Sequence, residues 1–198
     1  MESPVRMLAA APHRLLFFVG ASNVLLAMTW WALWLVDARW QVIGLPQPAV
    51  PAGWLHAIIM QYQVLPAFMF GFLLTVFPRW MSLPALTRAH YVPVGVGLLA
   101  GQLCSLAGLL GNRVLLELGA VLTTTSWTIG TTFLVYLVCL DKARTWHAVS
   151  CAFALAFVNC GTTMAARMPR MTTTTMISIR VNPSYFFLRQ ALTDEEVG

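Results

Sequence analysis

The sequence predicts an all-α polytopic membrane protein, a transmembrane helix bundle of about five spans, and three observations lead there. Of its 198 residues 59% are hydrophobic and only 10% charged, against roughly a quarter charged in a typical soluble domain. The apolar residues gather in runs of about 20, the length that crosses roughly 30 Å of hydrocarbon, and the mean hydropathy is +0.73. The basic residues stand singly between these runs, so the net charge of +5 has the loop pattern of an integral membrane protein and implies no nucleic-acid partner. The partner that the composition demands is the lipid bilayer.

Taken in order, residues 1–14 read as a cytoplasmic N-terminus. Met1 to Ala11 is no cleavable signal peptide, because the next apolar run is too long and no cleavage site follows it. The transmembrane bundle covers residues 15–166. Its first span, 15–36, follows Arg14 and ends among indoles: Trp30, Trp31, Trp34 and then Trp40. Gly44, Pro46, Pro48 and Pro51 exclude a regular helix across 37–53. The remaining spans are 54–77, 92–110, 115–140 and 146–166, joined by short links that make neighbours antiparallel within one bundle. Residues 167–198 form a polar tail, expected to be poorly ordered, with a MTTTTM run and an acidic end at Asp194, Glu195 and Glu196.

Five spans put Arg6, Arg14, Arg79, Arg88, Lys142 and Arg144 on one side and only Arg39 and Arg113 on the other. That bias places the N-terminus in the cytoplasm. Arg167, Arg170, Arg180 and Arg189 of the tail then cancel it. Either the fifth span does not cross, or the tail is not the natural continuation of a longer bundle.

The second span, WLHAIIMQYQVLPAFMFGFLLTVFPRW over 54–80, carries the most chemistry. An imidazole at the depth of His56 costs free energy unless something binds it. On a helix His56, Met60, Gln63, Ala67 and Gly71 share one face, polar at one end and small at the other. Such a stripe suits a cofactor: His56 and Met60 are metal and haem ligand types, and small residues admit a macrocycle. Both donors lie on one face, so they cannot bind opposite sides of one haem iron. A second axial ligand would come from elsewhere, with Met60 packing nearby or helping to hold a soft ion such as Cu(I). The competing reading gives His56 and Gln63 interhelical hydrogen bonds and makes Met60 filling.

Pro66, mid-span, removes a helical donor and frees the carbonyl of Tyr62, which a neighbouring helix or water must satisfy. Thr123, Thr124, Thr125, Ser126, Thr128, Thr131 and Thr132 can bond back to their own helix, as packing glue or as a polar pore lining. Gly97, Gly101 and Ser105 make a small-residue face for close packing, which would also permit a homo-oligomer. Arg113 and Glu117, one turn apart, read as an interfacial ion pair. His13 and His90 sit at span edges, where water reaches them. His147 and Cys151, at i and i+4, are a weaker metal-binding pair. The four cysteines all lie in apolar segments without a CxxC pair, which argues against a disulfide framework and a zinc site. There is no Walker loop, GxGxxG, GxSxG, HExxH or carboxylate pair, so conventional soluble-enzyme chemistry has no support and no catalytic residue can be named.

The PHRLLFF lead-in to the first span, then Trp54, His56, Ala57 and Met60, then Gly71, Phe72, Leu73, Leu74, Thr75, Pro78 and Trp80 together resemble the NnrS family. These are bacterial polytopic inner-membrane proteins associated with the nitric oxide response and described as binding haem and copper. The resemblance implies a multi-pass protein of the bacterial inner membrane, with haem and/or copper held through His56 and Met60. Where the family pattern has a second histidine and a glutamate, this chain has Ile58 and Ile59, so only His56 carries over. The family is also longer, and the motifs cover residues 12–166. The chain therefore reads as the N-terminal half of such a protein, ended by an unrelated segment through truncation or frameshift. The alternative that Ile58 and Ile59 raise is a cofactor-free bundle, permease-like or degenerate.

Overall fold

The computed structural model describes residues 4–46, 51–141 and 146–165. The tail over 167–198, like Lys142 and Arg144, lies outside the described residues. Among the described residues seven α-helices succeed one another: α1 (Pro4–Leu8), α2 (Pro12–Trp40), α3 (Ala52–Ile59), α4 (Leu65–Trp80), α5 (Arg88–Gly108), α6 (Arg113–Leu140) and α7 (Trp146–Ala165). A π turn, Met60–Val64, welds α3 to α4. No strand occurs among the described residues, as the all-α expectation requires. Among the described residues four helical stretches are long and apolar enough to cross a membrane, namely Pro12–Trp40, Ala52–Trp80, Arg88–Gly108 and Arg113–Leu140, and α7 is a shorter apolar helix.

Helix α2 starts on Pro12, whose missing N–H costs nothing in a first turn. It continues past the charged Asp37 and Arg39 that mark the expected edge of the span, reaching Trp40. Two features hold this end. Gln41 turns left-handed at φ 53° and returns its N–H to the Asp37 carbonyl. The Asp37 carboxylate then accepts the backbone N–H groups of Ile43 at 2.7 Å, Gly44 at 2.8 Å and Leu45 at 2.7 Å, folding the chain back on itself. Gly44 has φ 73°, a conformation that glycine adopts without strain.

The outer surface is apolar: Leu25, Val121 and Phe153 are 60–72% exposed. Lipid replaces water there, so van der Waals packing and interhelical hydrogen bonds rather than hydrophobic burial must hold the helices together. Small residues provide that packing. Between α5 and α6, a Cβ on Gly101 would lie 2.5 Å from Thr123 Oγ1, and one on Gly108 would lie 2.5 Å from the Leu116 nitrogen. Gly97 faces Ser126 in the same way. The face of Gly97, Gly101 and Ser105 is thus covered by α6 of the same chain, and a second copy could reach it only by parting this hairpin.

Helices α2 and α4 exchange aromatics for glycines. The Phe68 ring lies against Gly20, and the Phe17 ring lies against Gly71, each 2.8 Å from where a Cβ would stand. The core beyond them is Leu16, Phe70, Phe77, Leu98, Trp127 and Leu134. Along α6 six hydroxyls (Thr123, Thr124, Thr125, Ser126, Thr128 and Thr132) donate to the carbonyl four residues earlier at 2.7–2.9 Å. Thr125, Thr128 and Thr132 are exposed on the outer surface, so this row does not line a common pore.

Candidate functional site

The second span builds the site. Pro66 has no N–H to offer, and one residue before it the Leu65 N–H reaches back to the Met60 carbonyl, a π bond. The extra residue in that turn rotates the remainder of the helix by roughly 100°. The single face expected from His56 to Gly71 is therefore split. Gln63, Ala67 and Gly71 are buried, whereas His56 and Met60 are half-buried. Uninterrupted α-helical spacing was the premise of that face, and the π turn removes it.

Carbonyls exposed at this turn find partners on other helices. The Trp127 indole Nε1 donates to the Tyr62 oxygen at 2.9 Å, which is the rescue that Pro66 requires. Asn23 Nδ2 donates to the Gln63 oxygen at 3.0 Å and to the Leu98 oxygen at 3.5 Å. Gln63 Nε2 donates to Ser105 Oγ at 2.7 Å and Thr123 Oγ1 at 3.2 Å. Gln102 Nε2 reaches the Asn23 oxygen at 3.4 Å. Four membrane helices thus meet at one buried polar centre. Sequence reasoning found Gln63 but missed Asn23 and Gln102. Their signal was present, since each is an amide placed mid-run in an apolar span.

His56 is arranged differently. Its ring stacks on Trp31 at 4.7 Å between centroids with 15° between planes, and Trp31 stacks in turn on Trp34 at 5.3 Å and 7°. The Nδ1 atom of His56 is buried and has no hydrogen-bond partner. Met60, one turn on, packs against the cluster of Ala27, Leu55, Ile59, Val64 and Leu109. An unpartnered imidazole nitrogen is a ligand for borderline metals, and a thioether is a soft donor that suits Cu(I). A macrocycle fits less well. The small end of the expected stripe is filled, because Phe17 and Leu16 occupy the space at Gly71 and Ala67 is fully buried. The residues present therefore fit an ion at His56 and leave no room for a ring against Gly71.

The other candidates lie apart. His147 is exposed and Cys151 half-buried on α7, which packs on α6, whereas α3 packs on α2. Among the described residues no three His, Cys, Asp or Glu side chains come together as a metal site. His90 bonds to Thr87 Oγ1 at 2.7 Å and meets the Phe133 ring edge-on, while His13 lies edge-on to Phe17. Arg113 and Glu117 form the expected exposed ion pair at 3.0 Å.

In comparison with known families, the family model described as NnrS protein matches residues 7–190. It runs past residue 166, where the recognisable motifs stop. Residues out to 190 therefore match the family pattern rather than forming an unrelated segment. No curated protein and no solved structure matches the chain.

Proposed function

The chain belongs to the NnrS family, and from that membership we propose that it is a bacterial inner-membrane protein of nitric oxide response physiology that holds copper through His56. The observation that carries the reading is the buried, unpartnered Nδ1 of His56. A buried nitrogen without a partner costs about 1–3 kcal/mol, and a metal ion relieves that cost. Trp31 fixes the plane of the imidazole, and Met60 supplies a soft second donor one turn away. When bound, copper would supply a redox-active centre; the work of this chain is to orient the imidazole against the stacked indoles of Trp31 and Trp34. An N-terminus in the cytoplasm, the side that the basic residues ahead of the tail favour, would put His56 toward the outer end of its span.

A cofactor-free bundle is the second reading, favoured by Ile59, which is buried in the core cluster where the family pattern has a polar residue. Purification with copper and haem both supplied separates the readings. Copper at stoichiometric level, lost in His56→Ala, is the expected result. Copper-free protein would sink the proposal, and a Soret band in the unmutated protein would replace it by a haem site.

A further inference from the structure

Packing of α2 on α4 keeps one antiparallel register, with the Phe68 ring against Gly20 and the Phe17 ring against Gly71. Carried on unbroken, that register would bring Ala57 opposite Trp31. The ring that Trp31 meets is instead His56, one residue earlier, stacked at 4.7 Å and 15°. This slip is the extra residue of the π turn at Met60–Val64, and in azimuth it amounts to roughly 100°. Which side chain of α3 meets Trp31 thus depends on a turn that starts four residues after His56.

Such a turn does not hold itself. It leaves carbonyls without intrahelical donors, and in a bilayer those carbonyls need donors from the protein. Trp127 serves Tyr62, where Pro66 already rules out the ordinary helical bond. Gln63 is different, because an unbroken α-helix would serve its carbonyl from the Ala67 N–H. Here the Asn23 amide donates to it at 3.0 Å, and also faces the Leu98 oxygen at 3.5 Å. Two carbonyls from two helices fix which way that amide points, and Asn23 is 0% exposed. The two halves of the span resist rotation unequally. Helix α4 is wedged by the Phe17 ring on its Gly71 and by its own Phe70 ring on Gly130. Helix α3 has eight residues, and a Cβ on its Gly53 would lie 4.0 Å from the nearest outside atom.

We propose that Asn23 is a positioning residue of the His56 site: its amide holds the π turn, and the turn sets the imidazole against Trp31. The proposal rests on the copper reading for its ligand and on the stack of His56 with Trp31 for its geometry. Gln63 is seven residues from His56, roughly 10 Å along the axis, so Asn23 acts through the helix and not on the ion. Without the amide, the Gln63 carbonyl returns to the Ala67 N–H and the extra residue is absorbed by rotation of α3. His56 then leaves Trp31.

The test uses the full chain in lipid nanodiscs, first without copper. Stacking on an indole shifts imidazole protons upfield in the NMR spectrum, and His56→Gln identifies the resonance by its loss. In Asn23→Leu that resonance should move downfield to the position of an unstacked ring. Cu(I) affinity, measured next, should fall by about ten-fold or more. Deletion of the exposed Gln61 removes the extra residue, so an unbroken α-helix keeps both faces where they are. The deletion should preserve stack and affinity, and in its background Asn23→Leu should disturb neither. An Asn23 that only stabilised the bundle would show no such rescue. An upfield resonance kept in folded Asn23→Leu, or no rescue by the deletion, would overturn the proposal. If Asn23→Leu does not fold, the deletion alone decides, and loss of the stack there would overturn it too. Protein that shows this resonance pattern but binds no copper would sink the metal reading and leave Asn23 as the residue that places His56.

Discussion

The indole nitrogen of Trp127 donates to the backbone oxygen of Tyr62 at 2.9 Å, so a side chain from α6 closes the gap that Pro66 opens in the second span. The same indole lies edge-on to Phe70 at 5.4 Å. Trp127→Phe keeps most of the ring packing and removes only the donor. Leaving a buried carbonyl unmet should cost about 1–3 kcal/mol, read as a loss of stability in detergent unfolding. Pro66→Ala restores a backbone donor four residues after Tyr62, so the double variant should lose less than the two single losses combined. Strict additivity would show that Pro66 and Trp127 are unconnected.

Close approach of α5 and α6 makes a sharp contrast between two glycines. A Cβ on Gly101 would stand 2.5 Å from Thr123 Oγ1 and 3.1 Å from the Gly119 oxygen, and backbone atoms cannot step aside. Gly101→Ala should destabilise by about 1–3 kcal/mol as an overpacking change. At Gly53 the nearest atom, on Trp31, is 4.0 Å away, so Gly53→Ala should be neutral or mildly stabilising. Thermal unfolding of the two variants side by side checks the ordering.

What could be read in advance was local. Apolar run length gave the helices, a four-residue reach gave the hydroxyl row of α6 and the Arg113–Glu117 pair, and the chemistry of Pro66 announced an unmet carbonyl at Tyr62. Which group would answer that carbonyl was not legible, because it depends on which face of α6 meets the second span. The π turn was hidden for a related reason: one extra residue in a turn leaves no mark in composition, yet it separates His56 and Met60 from the buried Gln63, Ala67 and Gly71. Asn23 and Gln102 were visible as isolated amides, but only the packing joins them to Gln63. The stack of Trp31 on His56 likewise requires α2 and α3 to be laid side by side.

The loop after α2 depends on one carboxylate. Asp37 accepts three backbone N–H groups through its two oxygens. Asp37→Asn replaces one acceptor oxygen by a donor, which would then oppose an N–H instead of binding it. Hydrogen exchange at the amides of Ile43, Gly44 and Leu45 should accelerate together, while exchange in the centre of α2 stays as it was. Unchanged exchange at all three amides would show that the loop holds without the carboxylate.

Trp31 is the residue that separates a metal-holding His56 from a merely packed one. Its ring lies over the imidazole, near-parallel at 4.7 Å, and carries no metal-ligand atom of its own. If it sets the plane in which Nδ1 meets copper, Trp31→Leu frees the ring to rotate and should weaken copper binding by about ten-fold, the lower end of the effect of losing an outer partner of a metal ligand. Trp31→Phe keeps a flat surface and should recover most of that affinity. A structural role alone predicts a different pattern, in which Trp31→Leu lowers the unfolding temperature and leaves the copper affinity of the folded protein intact. Met60→Leu completes the comparison. It removes the thioether from a half-buried packing position, so it should lower affinity for Cu(I) with little change in stability. Competition with a Cu(I) chelator, measured on folded protein, reads all three variants on one scale.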